Sequence, residues 1–516
     1  MRDWEENSIR NIIRLMRCFH CISGLKISYS KTNLFGIGVG ENEIFQMASL
    51  INCKVGKFPC KYLGVPVGAN MNQIRHWKCI IDCFKNRLSL WKSKALSSGG
   101  RLTLLKASLD SLPLYFFSLF KAPQGVLDKL ESLRRRFFWG GNEEKSKTAW
   151  VCWDRVIGPM NKGGLGLGSL KDMNLSLISK WWWRFKHESD SLWCKTIKAI
   201  HLHAYSASYI PVREGISGTW NNIIRAGKEF QNYNLPVQNM MKGIVGDGRE
   251  IRFWLDWWTG DGPLKECFPD LYGLERHKHA TLKDRIEELE WRVNPSSSIQ
   301  LDQLQQIEQL RRTIRLGNNN DKWVWMYSDD GVFSVTLTRK MLNRFAIPFY
   351  PYDWVKWAPK KVNIFGWRGE QDRLATMVGL KKRGILPNSS VCKLCGDREE
   401  DADHLFIGCY VAAVLWQKVS SWCNIQQIYA HSMKDLLSFY KTAQLDEHKR
   451  SYVQTIILAT CWGIWKARND GIFKGKHVNI DGIFGEMQAT TFLWIKNRAK
   501  RTNLVLRSWV KFDITN

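Results

Sequence analysis

Long apolar runs are the first thing these 516 residues lack. No window reaches the roughly 18 consecutive apolar residues that a membrane-spanning helix requires. The nearest stretch, Tyr452 to Trp465, is short and interrupted by Gln454, Thr455 and Gly463, so it is expected to be a buried helix and no membrane role is expected. The opening residues, Met1-Arg2-Asp3-Trp4-Glu5-Glu6-Asn7, carry no apolar signal core. Secretion is therefore not expected, and the 14 cysteines are read as thiols or metal ligands of a reducing compartment, nucleus or cytoplasm. Acidic residues are also few: 48 Asp+Glu against 76 Lys+Arg leave a formal charge of +28. A surplus of that size favours a polyanionic partner, nucleic acid before anionic membrane, and says nothing about sequence preference. Catalytic signatures are missing as well. The 11 histidines form neither a Ser-His-Asp arrangement nor H-E-x-x-H, and Gly163-Gly164-Leu165-Gly166-Leu167-Gly168 fails as a dinucleotide loop because Ser169 stands where the last glycine is needed.

What is present suggests about three domains, since single cores stop growing near roughly 250 to 300 residues. Ile9, Ile12, Ile13, Leu15, Met16 and Phe19 follow a helical period with Arg10, Arg14 and Arg17 opposite them, so a helix opens the chain. Residues 24–68 are Gly-rich and β-branched and suit short strands and turns. The organisation expected is a first segment 1–68, a basic helical module 69–140, a connecting module 141–320, a further module 321–425 and a helical extension 426–516. The polar stretch Gly317-Asn318-Asn319-Asn320 is the best boundary by composition. Beyond it, Lys322 to Tyr327 and Val332 to Val335 read as a small β-hairpin across Ser328-Asp329-Asp330-Gly331, because Asp-Gly supplies the positive φ of a tight turn. The fold class is mainly α, of the α+β kind. Most of the 26 tryptophans, including Trp181 to Trp183, Trp257-Trp258 and Trp462 with Trp465, are read as core rather than as stacking platforms.

One constellation points to a metal. Cys392, Cys395, His404 and Cys409 give C-x2-C-x8-H-x4-C, four ligands within one loop that a tetrahedral ion can gather, with Gly396 available for the turn after the first pair. Four protein ligands close the coordination sphere, so the ion expected is a structural zinc that folds the 386–410 loop. Lys381, Lys382, Arg383 and Lys393 would then lie on an ordered surface able to touch phosphate. A second pair, Cys18-Phe19-His20-Cys21, has no further ligand near it and is read as helix packing.

Several words along the chain resemble plant-type LINE, non-long-terminal-repeat reverse transcriptases, in that family's order. Cys18-Phe19 and Ser23-Gly24-Leu25-Lys26-Ile27 resemble the segment after the catalytic hairpin of the palm. Tyr62-Leu63-Gly64-Val65-Pro66-Val67-Gly68, Leu96-Ser97-Ser98-Gly99-Gly100-Arg101-Leu102-Thr103-Leu104 and Phe137-Phe138-Trp139-Gly140-Gly141 resemble the stretches that follow it. Asp247-Gly248, Phe253-Trp254, Gly331-Val332-Phe333-Ser334-Val335 and Lys360-Lys361-Val362-Asn363-Ile364-Phe365-Gly366-Trp367-Arg368 continue the series into residues similar to the family's zinc-binding domain. The resemblance implies a thumb over about 70–140 that holds template-primer backbone, and a zinc domain that helps bind the element's RNA. RNA and RNA/DNA primer-template are thus the expected partners.

Lys92, Lys94, Arg101, Lys106, Arg134, Arg135 and Arg136 are the candidate phosphate contacts, although a run such as Arg134-Arg135-Arg136 is often a solvated helix face. The tail Lys496-Asn497-Arg498-Ala499-Lys500-Arg501 suits a nuclear address or a further phosphate contact. The family's catalytic aspartates lie upstream of the matching residues, so the chain alone is expected to be inactive as a polymerase. The alternative is part of an active RNA-directed DNA polymerase whose palm is encoded upstream or supplied by another chain, and magnesium is expected only with that palm. Tyr327-Ser328-Asp329-Asp330 spells the Y-x-D-D of a palm, yet it lies in the wrong place and fits an ordinary turn.

Overall fold

The computed structural model describes residues 6–88, 95–109, 111–141, 147–201, 210–213, 215, 217–288, 294–343, 349–385, 389–499 and 504–513. The chain divides into two compact units at Cys79/Ile80. Helices predominate in both, with six short strands among the described residues, which is the mainly α class expected.

The first unit holds helices Glu6–Ser23 and Glu41–Ile51. Strands β1 (Asn33–Leu34) and β2 (Lys54–Val55) pair in parallel, and β3 (Cys60–Tyr62) and β4 (Val65–Val67) form a hairpin closed by Leu63-Gly64, both at positive φ. The first helix is amphipathic as its spacing predicts, but only Ile9 is buried, while Ile12, Leu15, Phe19 and Ile22 remain exposed. Cys18 and Cys21 are exposed too, so the packing expected for that pair is not observed.

The second unit contains two cores. Around helix Leu170–His187, whose N-cap Ser169 accepts from the amides of Lys171 and Asp172, the side chains of Trp182, Phe185, Phe230, Trp254 and Trp325 are buried together. Strand β6 (Lys322–Trp325) pairs antiparallel with β5 (Met241–Ile244), so its partner is not 332–335 as the turn suggested. Val335–Leu342 is helical. Alternation puts Trp323 and Trp325 inward, and inward-facing indoles need a covered strand more than a local hairpin supplies. The Asp-Gly turn itself is present, with Gly331 at φ +70. Gly317 to Asn320, a linker by composition, is exposed but is tied to the loop after β5, where the Gly317 amide donates to the Gly246 carbonyl at 2.7 Å. Next to it the Asp321 carboxylate accepts from the amides of Gly246, Gly248, Glu250 and Ile251 at 2.7–3.2 Å and fixes the loop that follows β5.

The second core is built on helix Glu447–Lys474, capped by Asp446, against helices Lys360–Gly369, Tyr410–Cys423 and Ile480–Arg498. Tyr452, Val453, Ile456, Ile457 and Ile464 are buried in it, so the most apolar stretch of the sequence is the buried helix expected. No helix among the described residues is long and apolar enough to cross a membrane. Residues 426–513 therefore share a core with 355–423. Helix Ser98–Leu104 lies against Lys360–Gly369 so closely that a Cβ on Gly99 would come within 2.7 Å of the Lys361 amide nitrogen.

In the first core the Lys186 ammonium is buried 2.6 Å from Asp256 and 4.3 Å above the Trp323 ring. Burial lowers its pKa to about 8, against about 10.4 in an unfolded chain. The folded state releases this proton first, so stability attributable to Lys186 rises from about pH 8 to about pH 10. Asp256→Asn, which strands the ammonium, is expected to remove about 3 kcal/mol of unfolding free energy at neutral pH. Urea melts should show that loss shrinking toward pH 10, where Lys186 is neutral; a loss constant across the range contradicts the assignment.

Candidate metal centre

A bridge between Val391 and Glu399 closes a short β-turn loop at the start of the ligand segment. The Cys392 amide donates to the Arg398 carbonyl and the Gly396 amide to the Cys392 carbonyl, both at 2.8 Å. Gly396 takes φ +73 with no atom within 4 Å of where a Cβ would sit, so backbone conformation and not space selects glycine there. This turn presents Cys392 and Cys395 to one side. The other two ligands come from a wide π-helical turn, His404–Gly408, begun by the Asp401 carboxylate accepting from the His404 amide at 2.7 Å. Cys409 ends that turn and occupies the N-cap of helix Tyr410–Cys423, where the helix dipole favours a thiolate.

The three sulfurs and one ring nitrogen lie within 4.8 Å of one another. Two ligands about 2.3 Å from a common tetrahedral ion stand roughly 3.8 Å apart, so the cluster needs little adjustment to close around one. Cys395 Sγ and His404 Nε2 are already 3.3 Å apart, which marks Nε2 as the ligand nitrogen. The Cys409 thiol donates to Cys392, holding Cys392 well below the usual thiol range. Thiolate and imidazole donors of this kind suit zinc among the common divalent ions, and a set of four leaves no open position for substrate. Cys392 and Cys409 are buried, Cys395 is half-buried, and the 389–410 segment joins the core through Ala402, Leu405 and Phe406. Residues 386–388 of the expected loop lie outside the described residues.

Behind the ligands sits a buried ion pair that sequence spacing did not announce. Glu400 accepts from Arg468 Nε at 3.0 Å on both oxygens, and its Oε1 also accepts from the Met377 amide. Arg468 belongs to helix Glu447–Lys474, 68 residues away, so no local pattern reveals the pair.

Among the described residues the expected phosphate contacts are divided between buried and exposed positions. Arg134 is fully buried: Nη1 donates to Glu131 at 2.9 Å and to the Gly168 carbonyl, while Nη2 donates to the Leu167 carbonyl, so the phosphate role expected of it is corrected to an internal brace. Lys106 Nζ donates to the Leu165 carbonyl at 2.6 Å, and Arg101 Nε to the Phe138 carbonyl at 2.9 Å. Arg135 is exposed and Arg136 half-buried; Lys92 and Lys94 lie outside the described residues. Near the metal cluster Lys393 is exposed, Lys381 and Lys382 face Glu399 and Asp372 at 3.7 and 3.3 Å, and Arg383 donates to the carbonyls of Ala149 and Trp150. In the tail Arg498 donates to the Trp357 carbonyl, and Lys500 and Arg501 lie outside the described residues. Asp329 and Asp330 are exposed in their turn, and among the described residues the Cys392 group is the one His/Cys/Asp/Glu cluster able to hold a metal.

A family model described as zinc-binding in reverse transcriptase matches residues 333–416, which include all four ligands. The chain carries a reverse-transcriptase zinc-binding domain. It is also 29% identical over 414 residues to a protein of Arabidopsis thaliana named putative ribonuclease H protein, across 76% of this chain and 64% of that relative. An uncharacterized mitochondrial protein of Arabidopsis thaliana is 29% identical over 152 residues, 29% of this chain and 94% of the relative. The chain thus spans just under two thirds of the longer relative's length.

Arg468→Met, which leaves the Glu400 carboxylate buried and alone, is expected to lower stability by about 3–5 kcal/mol. Arg134→Met should cost a similar amount, whereas Arg135→Met on the exposed face stays within about 0.5 kcal/mol. Denaturant melts of the three variants check this order; an Arg134→Met protein as stable as wild type contradicts the internal role.

Proposed function

We propose that the chain is the nucleic-acid-binding C-terminal portion of a LINE-type reverse transcriptase, with a structural zinc that orders the 389–410 loop and no polymerase activity of its own. The observation that carries this reading is the closed Cys392, Cys395, His404, Cys409 set inside a matched reverse-transcriptase zinc-binding domain. A surplus of 28 positive charges supports RNA or an RNA/DNA primer-template as the partner, bound in nucleus or cytoplasm. A four-ligand sphere cannot activate water, so the metal contributes order and not chemistry. The Asp401 carboxylate and the Glu400–Arg468 pair beside it hold backbone in place. A second reading has its own support: the longer relative extends beyond the matched region, and a palm encoded outside these residues, with magnesium, would make this the binding half of an active RNA-directed DNA polymerase.

Metal analysis combined with RNA-hairpin binding across a salt series tests the first reading. Wild type is expected to hold one zinc per chain, with affinity falling steeply as salt rises; Cys392→Ser/Cys395→Ser should lose both. With magnesium and a primed template the chain alone should incorporate no nucleotide. Wild-type protein without zinc overturns the ligand assignment, and a zinc-loaded chain indifferent to RNA overturns the binding role.

A further inference from the structure

A cysteine reacts with an oxidant when two conditions meet, a thiolate and access to it. Cys18, Cys21, Cys79, Cys83, Cys152 and Cys267 are exposed, but no metal cluster among the described residues includes them, so no metal holds them as thiolates. Cys194, Cys423 and Cys461 are buried, and burial favours their neutral thiols. The metal centre differs from both groups. Zinc takes cysteine as thiolate at any depth. Cys392 and Cys409 are only 1% and 0% exposed, whereas Cys395 is half-buried. Of the three ligand cysteines, Cys395 is the one open to solvent.

The same turn supplies a second sulfur. Cys392 and Cys395 stand three residues apart on a turn closed by the Gly396 amide donating to the Cys392 carbonyl, and the ligand atoms lie within 4.8 Å of one another. Residues so placed on a turn have Cα atoms under about 7 Å apart, within the range a disulfide spans. Cys409 is placed differently. It is the N-cap of helix Tyr410–Cys423, whose Val411, Ala412 and Leu415 are fixed in the second core, so its sulfur moves toward Cys395 only with the helix.

We infer that Cys395 is a redox-modification site at which a hydroperoxide opens the metal centre by way of a Cys392–Cys395 disulfide. The inference rests on the zinc assignment above and adds to it a means of release. In the first step Cys395 Sγ attacks one peroxide oxygen. The S–O bond forms, the O–O bond breaks, the sulfur is oxidised by two electrons to a sulfenic acid and the other oxygen leaves as hydroxide. In the second step Cys392 Sγ attacks the Cys395 sulfur, the S–S bond forms, the S–O bond breaks and a second hydroxide leaves. Two thiolates and one hydrogen peroxide thus become one disulfide and two hydroxides. His404 and Cys409 cannot close a tetrahedral sphere by themselves, so the loop gives up its ion. A dithiol, oxidised in exchange, returns both sulfurs to the reduced state.

The test treats the full zinc-loaded chain with hydrogen peroxide while a colorimetric chelator reads released zinc. Samples blocked with iodoacetamide are mapped by peptide mass spectrometry. Wild type is expected to release zinc in step with a Cys392–Cys395 linkage, and dithiothreitol with added zinc to restore the site. Cys395→His keeps four donors and removes the open thiolate, so its release is expected to be at least about tenfold slower. Cys18→Ser/Cys21→Ser, outside the cluster, should release zinc at the wild-type rate. Release from Cys395→His as fast as from wild type overturns the inference. Should that variant hold no zinc, the wild-type peptide map decides by itself: a Cys392–Cys409 linkage, or other cysteines oxidised while zinc stays bound, overturns the inference equally. Wild-type protein that never holds zinc overturns the ligand assignment instead.

Discussion

Glu400 is buried with no exposure to water, and Arg468 reaches its carboxylate from the last third of helix Glu447–Lys474. A carboxylate stripped of water costs several kcal/mol unless hydrogen bonds replace what it lost. The same residue ties three segments together. Its side chain holds the start of helix Met377–Lys381 through the Met377 amide, its carbonyl accepts from Val378, and its own amide donates to Ser390 beside the ligand turn. An 18-residue ligand loop is too small to bury a core of its own. Cys392 and Cys409 instead lean on the core built by the long helix, so metal and core favour one and the same loop conformation, and each lowers the entropy the other must overcome.

The ligands were legible in the sequence because their problem is local. Four side chains within one loop need no distant partner, and a C-x2-C turn, a capped helical turn and an N-cap cysteine are each short-range devices. What crossed long distances was illegible. The Asp-Gly turn after β6 is real, but the strand's partner is β5, some eighty residues earlier, chosen because Trp323 and Trp325 need cover. Gly317 to Asn320 has a linker's composition and yet borders Asp321, whose carboxylate organises the loop after β5. The run Arg134 to Arg136 invited a single role. Successive helix positions point about 100° apart, so one guanidinium turns inward to brace Glu131 while its neighbour faces solvent.

The same geometry changes what a charge of +28 means. Formal charge counts every lysine and arginine equally, but Arg134, Arg468 and Lys186 are consumed inside the fold by carboxylates and carbonyls. Lys381 and Lys382 have acidic neighbours in the open, worth little in either direction. The cations around Trp150 are different. Arg368 and Arg383, from two separate places in the chain, lie 5.1 and 4.6 Å from its indole ring. Residual field, rather than total charge, is what a polyanion meets, and folding concentrates it where the sequence is least conspicuously basic.

The ligand segment and the guanidiniums beside Trp150 are connected through backbone. Helix Lys360–Gly369 carries Phe365, whose ring lies 5.8 Å from Phe406 of the ligand segment, and one turn later Arg368 beside the Trp150 ring. Arg383 follows helix Met377–Lys381, whose first amides are held by Glu400. If the ligand loop loses its ion, Phe406 loses a fixed seat and Glu400 loses the turn that aligns it. Both elements that present guanidiniums to Trp150 then lose an anchor. A zinc held by these four ligands would perform no chemistry; through these two helices it would set how firmly Arg368 and Arg383 are held against Trp150. On the nucleic-acid reading proposed above, its effect would be one of preorganisation: ordering entropy is settled when the protein folds and is absent from the cost of meeting the partner.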